Sequence, residues 1–328
     1  MSTIRTGEKM PSDNINIRAR KPKLTVADQI EHLKSKGVTF DLCSEKSARE
    51  TLSDKTYYFK LAAYRVLFEK RVGGAHDGEY VGLDFGHLRD LAVIDHMLRY
   101  SLLPMTLDIE HFAKVKLIRE VTRRADEDGY SIVVDYLESL SERNRSIREK
   151  EMERLKRDGY SGGMARKYDE KKPVWVLIEL LSFGGFINFY LFCADRWEDQ
   201  QMRNEHYLLR QAQAVRNACA HSTDIINGFA SGETSTIRTS REVAVALDEI
   251  GINRRSRRSK MANPRVQQIT MMAFAYREMV TGSHTREMCR GPIGALERRA
   301  TEHAGWYANV DSVVSSYRFL TRVFDNWV

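Results

Sequence analysis

Four cysteines in 328 residues, Cys43, Cys193, Cys219 and Cys289, are too few and too scattered for a disulfide framework or for the paired spacing of a zinc site. A reducing, cytoplasmic setting follows, with no structural metal and no cofactor expected. The opening stretch MSTIRTGEKMPSDNINIRARK holds no apolar h-region, so no secretory signal is expected there. Strand-like alternation is not sustained anywhere, and neither an internal repeat nor a low-complexity tract is visible. What the chain does contain is helical periodicity, and the expected fold class is all-α.

Apolar residues make up 42% of the chain, enough to bury a real core. The net charge of +7 and pI near 9.1, with arginine outnumbering lysine, point to a polyanionic partner held by bidentate phosphate contacts, RNA or DNA first. Residues 174–194 (VWVLIELLSFGGFINFYLFCA) are long and apolar enough to span a bilayer, but Glu179 and Asn188 interrupt them. Gly184-Gly185 offers a break, so two shorter buried helices are expected and no membrane partner.

Along the chain, residues 1–23 read as a flexible basic arm with Pro11 and Pro22. A helix is expected over residues 25–35, capped by Thr25 with Asp28 three positions on, and a second short one over 44–52. The aromatics of Tyr57-Tyr58-Phe59-Lys60-Leu61-Ala62-Ala63-Tyr64 could stack RNA bases, yet at this spacing core is the commoner use. A long helix runs from residue 85 to about 103, apolar at Leu88, Leu91, Ile94, Leu98 and Leu102, with Pro104 expected to end it before a further helix over 107–125. Another follows over 132–140. Residues 142–172 read as a solvated helix and a mobile loop. Residues 228–239 look like a linker between a core of residues 24–228 and a C-terminal helical region of residues 240–328. In that region Arg254, Arg255, Arg257, Arg258 and Lys260 form the densest basic cluster, read as an RNA-backbone contact or as a solvated turn. The amphipathic tail, apolar at Val313, Leu320, Val323, Phe324 and Trp327, is expected to dock on the body or on a second protomer.

One segment carries chemistry. Arg216-Asn217-Ala218-Cys219-Ala220-His221 continues a helix whose apolar residues are Leu208, Leu209, Ala212 and Val215. An arginine can hold a phosphate while a histidine moves the proton of a ribose hydroxyl. Asn217 and His221 lie four apart, so the amide is expected to bond the ring and fix its tautomer. Spacing alone is weak evidence, because roughly one Arg-x4-His match is expected by chance. Two others occur: Arg71 to His76 runs through Gly73-Gly74 and reads as a turn, and Arg298 to His303 reads as a charged, solvated face with Arg299 and Glu302. The plain alternative for the first match is an Arg and a His capping a core helix. Cys219, inside the motif, has no activating neighbour and reads as a small buried hydrophobe.

In order, Lys21-Pro22, the Tyr57-Tyr58-Phe59-Lys60-Leu61 block, Pro173-Val174-Trp175-Val176-Leu177-Ile178-Glu179 with Phe183-Gly184, and the terminal Arg216–His221 motif resemble the abortive-infection family of AbiD and AbiF proteins, over roughly residues 24–227. That family resembles the HEPN superfamily: all-helical bundles whose Arg-x4-His motif forms a metal-independent ribonuclease, usually as a homodimer. The resemblance implies a HEPN-type bundle with additional N- and C-terminal helices, and Arg216, Asn217 and His221 as catalytic residues. It also implies a phage-defence toxin that cuts RNA, relatedness to the HEPN nucleases of RNA-guided CRISPR effectors, and pairing of some members with a small regulatory RNA. Glu179 matches a family position, with a role in folding the apolar helix weighed beside one in catalysis. A non-catalytic RNA-binding sensor or adaptor is the alternative function.

Overall fold

The first helix forms where the sequence writes its cap. In the computed structural model, which describes residues 23–307 and 310–328, Thr25 Oγ1 accepts the Asp28 N–H at 3.2 Å and Asp28 Oδ2 accepts the Thr25 N–H at 3.1 Å, opening α1 (Val26–Lys34). The arm expected over residues 1–23 lies, Lys23 apart, outside the described residues. After α2 (Glu45–Glu50) a single π turn and α3 (Tyr58–Ala62) lead to a 3-10 turn that buries Tyr64. The aromatic block therefore splits: Tyr64 is core, whereas Tyr57 and Phe59 are exposed.

The spine of the molecule is α4 (Phe85–Arg123), 39 residues long, which continues without interruption past Pro104. The expected break is absent for a positional reason. Pro104 and Tyr100 both face solvent, so the carbonyl that loses its helical partner can bond water, while Leu98, Leu102, Met105 and Ile109 hold the opposite face in the core.

Next come α5 (Ser131–Ser139) and α6 (Glu142–Leu155), which has no buried residue, as the charge density predicts. The stretch expected to be a mobile loop contains α7 (Gly162–Lys167). The apolar segment does divide in two, α8 (Val174–Leu180) and α9 (Phe183–Arg196), but the break falls before the glycines, at Ser182, whose hydroxyl accepts the Gly185 N–H. Gly184 and Gly185 lie inside α9, where a Cβ on them would displace only the ends of the Gln213 and Arg148 side chains. Among the described residues no helix is long and apolar enough to cross a membrane.

Then α10 (Gln200–Ala220) carries the motif and packs across α4 and α9. The segment expected as a linker is pinned, not free: Ser235 N–H donates to the Ala262 carbonyl at 2.8 Å, and Gln267 Nε2 donates to that of Ile237 at 2.8 Å. Beyond it lie α11 (Arg241–Glu249), α12 (Arg254–Ala262), α13 (Pro264–Met279), α14 (Ser283–Glu302) and α15 (Asp311–Trp327). Pro264 opens α13 at a position where its missing N–H costs nothing, and α13 is buried nearly all round between α10, α4 and α15. The tail docks on the body through Phe319, Leu320, Val323, Phe324 and Trp327, each stabilising by about 1.5–3 kcal/mol. All regular elements among the described residues are helical, with only two isolated bridges, so the fold is all-α.

Candidate functional site

The motif ends its helix in a tight corner. His221 is the C-cap of α10; Ser222, at φ 54°, occupies the left-handed position usually taken by glycine. The Ser222 N–H donates to the Cys219 carbonyl at 3.1 Å and the Thr223 N–H to that of Ala218 at 2.8 Å, which together satisfy two of the orphan carbonyls of the last turn. His221 is exposed on this corner, and Arg216 is half-buried one turn below.

Asn217 does not do what its spacing predicts. Its Oδ1 accepts from Arg216 Nη1 at 3.1 Å, so the amide orients the guanidinium and not the imidazole. Adjacent side chains seldom meet on a helix, but an arginine is long enough to fold back to its neighbour. Cys219 is buried, and burial pushes its thiol up to about 12, which leaves it protonated and inert.

A buried polar cluster fixes the corner from beneath. Asp95, fully buried on α4, accepts the main-chain N–H groups of Ile225 and Ile226 through Oδ1, both at 2.9 Å. Its Oδ2 accepts the Tyr64 hydroxyl at 2.9 Å and Arg99 Nη1. The same guanidinium lies 3.4 Å from the Thr223 carbonyl, and Lys60 Nζ donates to the Ser222 carbonyl. Asp224 closes the ring, accepting from Tyr64 at 3.2 Å with Lys60 at 3.9 Å. Burial raises the Asp224 carboxyl above its ordinary value, with Lys60, Tyr64 and Arg99 opposing. Burial and the nearby Arg99 charge lower the Lys60 ammonium, against the pull of Asp224.

Sequence reasoning singled out neither Asp95 nor Arg99, although a signal existed. An acid and a base four apart, set among Leu91, Ile94, Leu98 and Leu102, mark an ion pair on the inner side of a helix.

The other matches lie elsewhere. Arg71 and His76 flank a turn with Gly73 and Gly74 at φ 79° and 76°, as expected. Around His303 the expected solvated face is split: Arg298 and Glu302 are exposed, whereas Arg299 and His303 Nδ1 (3.2 Å) both reach the buried carboxylate of Asp90, and the ring stacks on Trp306 at 3.9 Å. Glu179 is exposed on α8. The basic cluster forms α12 and divides: Arg254, Arg255 and Arg258 point to solvent, Arg257 is taken up by Asp248 and the Ala244 carbonyl, and Lys260 by Ser315 and Ser316. Among the described residues no three His, Cys, Asp or Glu side chains gather to hold a metal ion.

No curated protein and no solved structure matches the chain. The model of the Abi-like protein family does, over residues 50–227, 178 of 328 residues, a span that holds Lys60, Tyr64, Asp95, Arg99 and the whole Arg216–His221 motif. The chain therefore belongs to the Abi-like protein family.

Proposed function

We propose that the protein is a metal-independent endoribonuclease of HEPN type that acts in phage defence as an RNA-cleaving toxin. The observation that carries this reading is the corner itself: an exposed histidine at a rigid helix end, with an arginine one turn away, inside the family-matched region.

In this chemistry a histidine takes the proton of a ribose 2′-hydroxyl, the 2′-oxygen attacks the adjacent phosphorus, and the 5′-oxygen leaves with a proton from a second acid. The products are a 2′,3′-cyclic phosphate and a 5′-hydroxyl. Arg216 neutralises charge on the phosphorane-like transition state, and Asn217 holds that guanidinium. One imidazole cannot give and take a proton in the same instant, and five residues of helix set Arg216 and His221 about 140° apart around the axis. Two chains about a two-fold axis supply two histidines and bring an arginine to each, so the active form is a homodimer.

RNA cleavage by the purified protein tests the reading. Cleavage should persist in chelator, leave 2′,3′-cyclic ends, and fall roughly 100-fold or more in His221→Ala and Arg216→Ala while both stay folded. Activity abolished by chelator and restored by magnesium would overturn the mechanism. RNA binding without cleavage would leave a sensor or adaptor.

A further inference from the structure

A cleft of about 890 Å³ runs along α10, walled on its far side by residues 237–242 and by α13. Its floor is apolar, from buried Leu208, Met271 and Phe274, and Tyr207, 63% exposed, stands at its rim. Gln211 also lines it. That side chain is mostly buried, and its amide makes no hydrogen bond among the described residues but keeps solvent access at the cleft.

The charges that face the cleft are unequally committed. Glu205 is neutralised by Lys116 at 2.7 Å, Glu278 lies 3.3 Å from Arg277, and Glu242 is tied to Ser240. Arg210 and Arg238, both exposed, have no ion pair or hydrogen bond among the described residues. The groups left uncommitted therefore include guanidinium donors and two amides, Gln211 one turn from the Tyr207 ring and Gln268 on α13.

Those are the groups that read an unstacked RNA nucleotide: a ring and an apolar floor for the base faces, an amide for its edge, guanidinium groups for the flanking phosphates. The cleft is also in register with the motif. Tyr207, Ala214 and His221 follow at seven-residue spacing, two helical turns less about 20°, so they share one side of α10, and Ala214, which lines the cleft, precedes His221 by about 10 Å along the axis.

We infer that this cleft is the base-recognition pocket of the ribonuclease, taking one or two unpaired nucleotides of the substrate strand next to the cut and setting the sequence preference through Gln211. The inference rests on the ribonuclease reading for its consequence, but binding can be measured without cleavage. In a His221→Ala background, anisotropy with short labelled RNA oligonucleotides that differ at one base gives the affinity and its base dependence. Tyr207→Ala should weaken every oligonucleotide roughly tenfold, Arg238→Ala should weaken them all less, and Gln211→Leu should collapse the difference between bases. Sequencing of RNA ends from otherwise wild-type protein should then show the same flattening at one position beside the cut with Gln211→Leu. If Tyr207→Ala and Arg238→Ala proteins with unchanged melting curves bind all oligonucleotides like their parent, the cleft is not the base site, whatever the wild type cuts. If the wild type leaves RNA intact while the Tyr207 and Gln211 effects on binding appear, the pocket stands and the chemistry proposed for His221 falls.

Discussion

Lys60 Nζ donates a hydrogen bond to the main-chain carbonyl of Ser222, joining residues 162 positions apart and tying the Tyr57–Leu61 block to the corner that presents His221. The bond reaches the residue next to the histidine, at the left-handed position of the corner, which makes Lys60 the positioning residue to test. If the protein cleaves RNA as proposed, Lys60→Met should lower the rate constant of that cleavage roughly tenfold, equivalent to about 1.4 kcal/mol, with little change in KM. Lys60→Arg, which keeps a cationic donor, should restore part of that loss. Equal damage from both variants, tracked by equal loss of melting temperature, would reduce the contact to a purely structural one.

Asp95 bears a heavier load, because four donors converge on a fully buried carboxylate. In Asp95→Asn the amide keeps one acceptor but no charge, and the buried Arg99 guanidinium loses its counter-ion. Breaking one side of a buried pair costs about 3–5 kcal/mol. Urea unfolding of the variant against the wild type measures it, and a change under about 1 kcal/mol would mean water already screens the pair.

Ser222 pays a conformational cost that the Schellman-type corner imposes, since a non-glycine residue at φ 54° sits in a sparsely populated region. Ser222→Gly should therefore stabilise the fold by about 0.5–1 kcal/mol, as a rise in melting temperature. Ser222→Val should do the opposite, because a β-branched side chain tolerates positive φ worst. A Gly variant less stable than the wild type would show that the serine side chain contributes more than its backbone loses.

His87 makes stability depend on mild acid. Its Nδ1 accepts the Asp84 N–H at 3.0 Å in the cap of α4, a bond that exists only while that nitrogen is unprotonated. Burial holds the imidazole below its ordinary value of 6.5, with Asp84 and Asp90 opposing, and burial together with Arg210 does the same for His206. Below pH 6.5 the unfolded chain then binds more protons than the folded one, so stability falls with falling pH through the depressed folded values. Unfolding free energies at pH 7.5 and pH 5 should differ more for the wild type than for His87→Gln with His206→Gln. Glutamine at position 87 keeps a side-chain acceptor for the cap while removing the titration.

How far these features were legible depends on whether their partners are local. Thr25 with Asp28, the apolar stripe of α10 and the charged face of α6 are written within one or two turns, and each forms where its pattern predicts. The Arg216–His221 segment was legible as a helix end, but the role of Asn217 was not, because spacing does not say which of two neighbours an amide will choose. Pro104 and Gly184-Gly185 misled for a shared reason. Proline and glycine are punctuation only on average, and here solvent exposure excuses the first while the glycines sit inside α9, just past its Ser182 cap. The Lys60, Asp95 and Asp224 ring joins three distant segments, which no local pattern encodes.

The basic cluster likewise divides into two sets by local surroundings. Arg254, Arg255 and Arg258 stand free on α12, whereas Arg257 and Lys260 are spent on Asp248 and on the hydroxyls of Ser315 and Ser316. If α12 contacts the RNA backbone, each free arginine releases one counter-ion on binding, and the logarithmic salt slope of RNA affinity should flatten by about 0.7 per residue neutralised on a single strand. Arg254→Ala with Arg255→Ala and Arg258→Ala should thus remove about two units of slope and weaken binding evenly across sequences, leaving the choice of linkage unaltered. Arg257→Ala and Lys260→Ala should instead loosen α12 from α11 and α15 and appear in the melting curve before they appear in the salt slope. Titrations at four or five salt concentrations, with the His221→Ala protein to prevent cleavage, separate the two sets. An unchanged slope in the triple variant would return α12 to the role of a solvated helix whose arginines face water and nothing else.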